Sequence, residues 1–69
     1  MKLSARNTLK GTIKSVEIGA VNAEVVVEVA PGVDVTAIIT KKSCENLGLA
    51  DGKPAYVVIK ASNVMLATD

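Results

Sequence analysis

The sequence predicts an all-β fold of five strands, with one short helix between the third and the fourth. Three observations carry this reading. Of the 69 residues, 49% are apolar, and these are Val, Ile, Ala and Leu with a single aromatic residue, Tyr56, a composition that suits strands. Apolar and polar residues alternate with a period of two through the middle of the chain, as half-buried strands require. Turn-forming pairs, Pro31-Gly32 and Asp51-Gly52, separate the alternating runs.

The first strand is read over Asn7 to Ile18. Leu9 and Ile13 share one parity, whereas Val16 and Ile18 have the other. A switch near Lys14-Ser15 predicts a bulge, or a strand bent between two faces. After a turn at Gly19, Val21, Ala23, Val25, Val27 and Val29 alternate with Asn22, Glu24, Val26 and Glu28. Beyond Ala30-Pro31-Gly32, the third strand sets Val33, Val35, Ala37 and Ile39 on one face, and Asp34, Thr36, Ile38 and Thr40 on the other. Val26 and Ile38 interrupt polar faces. They read either as a subunit contact or as ordinary isolated exposed apolar residues.

A helix is read over about Lys41 to Leu47, with Thr40 as N-cap and Gly48 at the left-handed C-terminal position. Cys44 and Leu49 are spaced for the apolar contact that accompanies such an ending. Asp51-Gly52 reads as a hairpin-type turn. The fourth strand starts at Pro54, with Ala55, Val57 and Ile59 opposite Tyr56, Val58 and Lys60, and Val64 to Leu66 reads as a short fifth. Five strands with a helix in this place is the plan of an OB-like barrel, here one domain over residues 1–69.

Composition excludes several functions. The net charge of +1 is too small for a protein held to nucleic acid by charge alone. One cysteine permits no internal disulfide and fits a reducing, cytoplasmic setting. No apolar run approaches the roughly 20 residues that cross a bilayer, and no signal peptide is read at the start. Histidine is absent, which removes the usual general base and the commonest transition-metal ligand. Without a nucleophile–base spacing or a metal cluster, the chain reads as a binding protein, not an enzyme, with no catalytic cofactor. In a domain this small, so large an apolar content also predicts association.

Three polar stretches carry the remaining chemistry. Ser4-Ala5-Arg6-Asn7 offers a hydroxyl, a guanidinium fork and an amide, all donors to an oxyanion; its plain reading is a solvated lead-in. Thr40-Lys41-Lys42-Ser43 places two lysines in a first helical turn, where acidic residues are the usual preference. Hydroxyls and cations at a helix start suit an anion, and lysines reaching into water read equally well. Lys60-Ala61-Ser62-Asn63 offers a cation, an accessible N–H beside a small side chain, and two polar side chains, or simply a turn. Gly19-Ala20-Val21-Asn22-Ala23 allows close backbone approach, although a tight turn into a strand explains these residues more simply. The three polar stretches contain no Asp or Glu. That donor-only chemistry suits molybdate and tungstate, which are fully ionised at neutral pH. Phosphate keeps a proton part of the time, and a carboxylate helps to select it.

These residues resemble the molbindins, the Mop family of molybdenum-pterin-binding proteins. The likeness covers nearly the whole chain. It rests on Ser4-Ala5-Arg6-Asn7 with Leu9-Lys10-Gly11, Gly19-Ala20-Val21-Asn22-Ala23-Glu24-Val25, Leu47-Gly48-Leu49 with Gly52, and Val58-Ile59-Lys60-Ala61-Ser62-Asn63-Val64-Met65. Four motifs in this order are specific, although each alone is weak. The resemblance implies an OB-like barrel, a hexamer built as a trimer of dimers, and molybdate or tungstate sites between subunits, serving storage or homeostasis. It implies that Ser4 and Arg6 of one subunit meet Lys60, Ala61 and Ser62 of its neighbour, with Thr40 and Ser43 completing the pocket. A second site on a threefold axis would use Gly19, Ala20, Val21 and Asn22. The family often has a second serine where this chain has Asn63, and similar modules occur in molybdate-responsive regulators and importer ATPases. With nothing following the domain, a free-standing molbindin is expected. Two other classes remain in view. An OB-type nucleic-acid binder needs aromatic stacking platforms and a basic groove, and a purely structural oligomerisation module would bind anions only incidentally.

Overall fold

A computed structural model describes all residues, 1–69. Four strands form one antiparallel sheet: β1 (Asn7–Ile18), β2 (Asn22–Ala30), β3 (Val33–Thr40) and β4 (Pro54–Ile59), in the order β3-β2-β1-β4. A single helix, α1 (Lys41–Leu47), follows β3, and a 3-10 turn, η1 (Ala61–Asn63), follows β4.

β1 gives the sheet its curl. Its first half, Asn7 to Thr12, pairs with β4, and its second half, Thr12 to Ile18, pairs with β2. The register shifts between Ile13 and Ser15, so Lys14 has no opposite residue. This is the bulge that the parity switch predicts. It turns Val16 onto the same side as Ile13 and bends the strand. Where the strand crosses β2, Gly11 lies so close that a Cβ there would stand 2.4 Å from the Glu28 carbonyl oxygen and 2.8 Å from Val27 Cγ1. Only glycine fits. A second shift, between Glu28 and Ala30, precedes the Pro31-Gly32 turn. There Gly32 has φ 75°, and the shift absorbs the splay that an unprimed two-residue turn imposes on paired strands.

The inward faces form the core. Ile13, Ala23, Val25, Val27, Cys44 and Val57 are buried, with Val35, Ile39, Leu49, Ala55 and Ile59 packed around them. Cys44 is thus a packing residue, as its helical position predicts. α1 has the expected ends. The Thr40 hydroxyl accepts the Ser43 N–H at 3.0 Å, while Gly48 (φ 64°) and Leu49 donate N–H bonds to the Glu45 and Cys44 carbonyls.

Two expectations are corrected. Val64 to Leu66 is not a strand in this chain. It lies beyond η1 and pairs with nothing, and Met65 and Leu66 are each 93% exposed. A strand exists only through an edge that accepts it, and this segment meets none. The barrel is accordingly open: β3 and β4 are both free edges of a curled half-barrel, and an apolar groove of about 590 Å³ lies between them. Asp51-Gly52 forms the turn read in the sequence, between α1 and β4, with Gly52 at φ 81°. It ties into the sheet, since Gly52 donates to the Ile13 carbonyl and Ile13 to that of Lys53.

Candidate oxyanion site

The β1–β4 ladder ends with Asn7 opposite Ile59. The next residues outward, Arg6 and Lys60, therefore leave the sheet together at one corner. Ser4 precedes them on one side, and Ala61 and Ser62 follow on the other, all exposed. The register of one chain thus already brings the two segments side by side. η1 starts at Ala61, so the N–H groups of Ala61 and Ser62 have no acceptor within the chain; the backbone bonds at this turn run from Asn63 to Lys60 and from Val64 to Ala61. The corner thus offers two backbone donors beside a guanidinium, an ammonium and two hydroxyls.

Its electrostatics are one-sided. The paired segments, residues 1–16 and 53–68, hold Lys2, Arg6, Lys10, Lys14, Lys53 and Lys60 and no Asp or Glu. Lys14 alone among them is neutralised, by Asp34 of β3 at 2.9 Å. No group of three His, Cys, Asp or Glu side chains gathers anywhere in the chain. The corner is rich in donors for an acceptor-only anion and holds no carboxylate to accept a proton from a ligand.

Thr40 and Ser43 lie elsewhere. Thr40 pairs with Asn22, and Ala23 pairs with Ile18, so both hydroxyls stand at the far end of β1 from Arg6. At about 3.3 Å per residue, the strand's 12 residues put on the order of 35 Å of chain between the two groups. The Thr40 hydroxyl is already committed: it accepts the Ser43 N–H and donates to Ser43 Oγ at 2.8 Å. The Ser43 proton remains free. Beside it is the loop from Gly19 to Asn22, closed by bonds from Gly19 N–H to the Asn22 carbonyl and from Lys41 N–H to that of Val21. The Ala20 and Val21 N–H groups have no acceptor in the chain, and all four loop residues are exposed. One chain therefore carries two donor groups at opposite ends of β1, not one pocket.

One residue has a different role from that read in the sequence. The Asn7 amide is tied into the sheet, since one of its N–H groups donates to the Ile59 carbonyl at 3.2 Å. No local pattern signals this, since the two residues are 52 positions apart.

Comparison with known proteins places this geometry. The TOBE domain model matches residues 3–66. The chain is 48% identical over 66 residues to molybdenum-pterin-binding protein 3 of Clostridium pasteurianum, an alignment covering 96% of this chain and 97% of that protein. It is 49% identical over 67 residues to the molybdenum-pterin-binding protein MopA of Rhodobacter capsulatus, covering 97% of this chain but only 25% of that one. Among solved structures, the cytoplasmic molybdate-binding protein ModG, in a crystal form with molybdate bound, superimposes with a TM-score of 0.89 at 51% identity, over 94% of this chain and 46% of that one.

Proposed function

Because the chain belongs to the TOBE-domain family, among its molybdenum-pterin-binding proteins, we propose that it binds molybdate or tungstate between the subunits of an oligomer and serves intracellular molybdenum storage or homeostasis. It is a binding protein and not an enzyme, as its relatives are. The observation that carries the reading is the carboxylate-free corner: the strand register sets Arg6 beside Lys60, Ser4 and Ser62 lie two residues from them in sequence, and the Ala61 and Ser62 N–H groups have no acceptor in the chain. Such a set satisfies the oxygens of a fully ionised tetrahedral anion, each an acceptor only. The molybdate-bound ModG, 51% identical, supports that choice of ligand.

Every donor is exposed in the single chain, and exposed charge-assisted bonds in water are weak. A second subunit supplies the missing enclosure. Since Thr40 and Ser43 stand at the other end of β1, they reach the same anion only from a neighbouring chain. The proposed site therefore unites the Arg6–Lys60 corner of one subunit with the Thr40–Ser43 turn of another, in a hexamer built as a trimer of dimers. The Gly19–Asn22 loop, with its free N–H groups, forms the second type of site where like loops gather around a threefold axis.

Calorimetric titration with molybdate, tungstate, sulfate and phosphate tests the reading. Saturable binding of molybdate and tungstate in physiological salt, with phosphate much weaker, is expected. Equal weak binding of all four anions would leave only an incidental basic surface.

A further inference from the structure

We propose that Asn7 is the positioning residue of the Arg6–Lys60 corner: its side-chain amide fastens the last carbonyl of β4 and so fixes where Lys60, Ala61 and Ser62 stand relative to Arg6. The inference rests on the oxyanion reading above and adds a residue that does not touch the ligand.

Four side-chain hydrogen bonds form in the chain, and that from Asn7 Nδ2 to the Ile59 carbonyl, at 3.2 Å, is the one that is not exposed. Its placement matters more than its strength. Ile59 is the last residue of β4. From Lys60 onward the backbone bonds are local, from Asn63 to Lys60 and from Val64 to Ala61, and none reaches another element. The donor segment thus hangs from Ile59. Asn7 is adjacent in sequence to Arg6 and bonded to the residue before Lys60, so one amide sets both halves of the corner. Its chemistry is specific: the acceptor is a carbonyl, so the partner must carry an N–H or O–H. Aspartate has the same shape, donates nothing when ionised, and would introduce the only carboxylate among the two segments.

The test uses the full chain with Asn7→Ala, Asn7→Asp and Asn7→Thr, titrated with sodium molybdate alongside Arg6→Ala. Loss of one positioning bond predicts binding about threefold to tenfold weaker for Asn7→Ala. For Asn7→Asp the loss exceeds about tenfold, and the excess shrinks as salt screens the added charge. Asn7→Thr, a strand former that keeps a hydroxyl donor, loses less than Asn7→Asp and serves if Asn7→Ala does not fold. In ligand-free protein, the amide resonances of Ala61 and Ser62 shift or broaden in Asn7→Ala, while those of Ala20, Val21 and Ser43 stay in place. A lower melting temperature with wild-type affinity would overturn the proposal, because Asn7 would then be merely structural. So would equal affinities for all three variants while Arg6→Ala loses binding. If Arg6→Ala also binds like wild type, the oxyanion site itself is misassigned and the positioning role falls with it.

Discussion

At the scale of single residues, charge and hydrogen bonding decide what each side chain contributes. The Arg6 and Lys60 side chains are exposed and bonded to nothing within the chain, so removing either costs the fold little. A charge-assisted hydrogen bond is worth about 1.5–3 kcal/mol where it is enclosed. Arg6→Ala and Lys60→Ala are therefore each expected to weaken molybdate binding by about tenfold to a hundredfold, with melting temperature unchanged; calorimetry beside a thermal melt checks both. Affinity is also expected to stay flat between about pH 5.5 and 7, since the chain has no histidine and no other side chain has its reference pKa in that window. A titration series across it, with monomeric molybdate, would expose any missed titrating group as a slope. The Lys14–Asp34 pair adds none. Its hydrogen bond to Asp34 raises the Lys14 pKa above 10.5, so what the charge on Lys14 contributes is lost only as pH rises beyond that value, outside this window. At this scale the donor types were legible in the sequence, because hydroxyls, guanidinium and absent carboxylates are read directly. The role of Asn7 was not, because its partner is set by strand register.

At the scale of elements, local chemistry was legible almost throughout. The parity switch in β1 marked the bulge at Lys14, Thr40 and Gly48 marked the two ends of α1, and Pro31-Gly32 marked the turn between β2 and β3. Each is a short-range signal. The failures were long-range. Val64 to Leu66 has strand composition but pairs with neither free edge, and the barrel it was expected to close stays open. Gly11 belongs to the same class: a glycine within a strand is ambiguous until β2 is seen to pass beneath it. Gly11→Ala places a Cβ 2.4 Å from a backbone carbonyl oxygen, which no side-chain rotation relieves. The expected loss is about 3 kcal/mol, the upper end for overpacking, read as a lowered midpoint in urea. A midpoint unchanged from wild type would show that β1 and β2 can separate there without cost.

At the scale of the whole molecule, the single chain leaves much apolar surface uncovered. Six of 69 residues are buried, while Val21, Ile38, Leu47, Met65 and Leu66 are each more than two-thirds exposed, and both sheet edges are free. A surface of this kind marks association. Light scattering at micromolar concentration is expected to find a hexamer and no folded monomer. The apolar content predicts association, and the register adds that Arg6 and Lys60 lie together in one chain, apart from Ser43. The most direct test of the shared site is therefore complementation between defective chains. Arg6→Ala removes one half of the site. Ser43→Asp sets a carboxylate in the other half, and an acid in the first turn suits the helix, so the fold is kept. Each variant alone is expected to bind molybdate weakly. After verified subunit exchange, mixed oligomers of the two are expected to regain wild-type affinity at a fraction of their sites, where the intact Arg6 corner of one chain meets the intact Ser43 turn of another, whereas mixtures of Arg6→Ala with Lys60→Ala regain none. Recovery in the second mixture and not in the first would contradict the account.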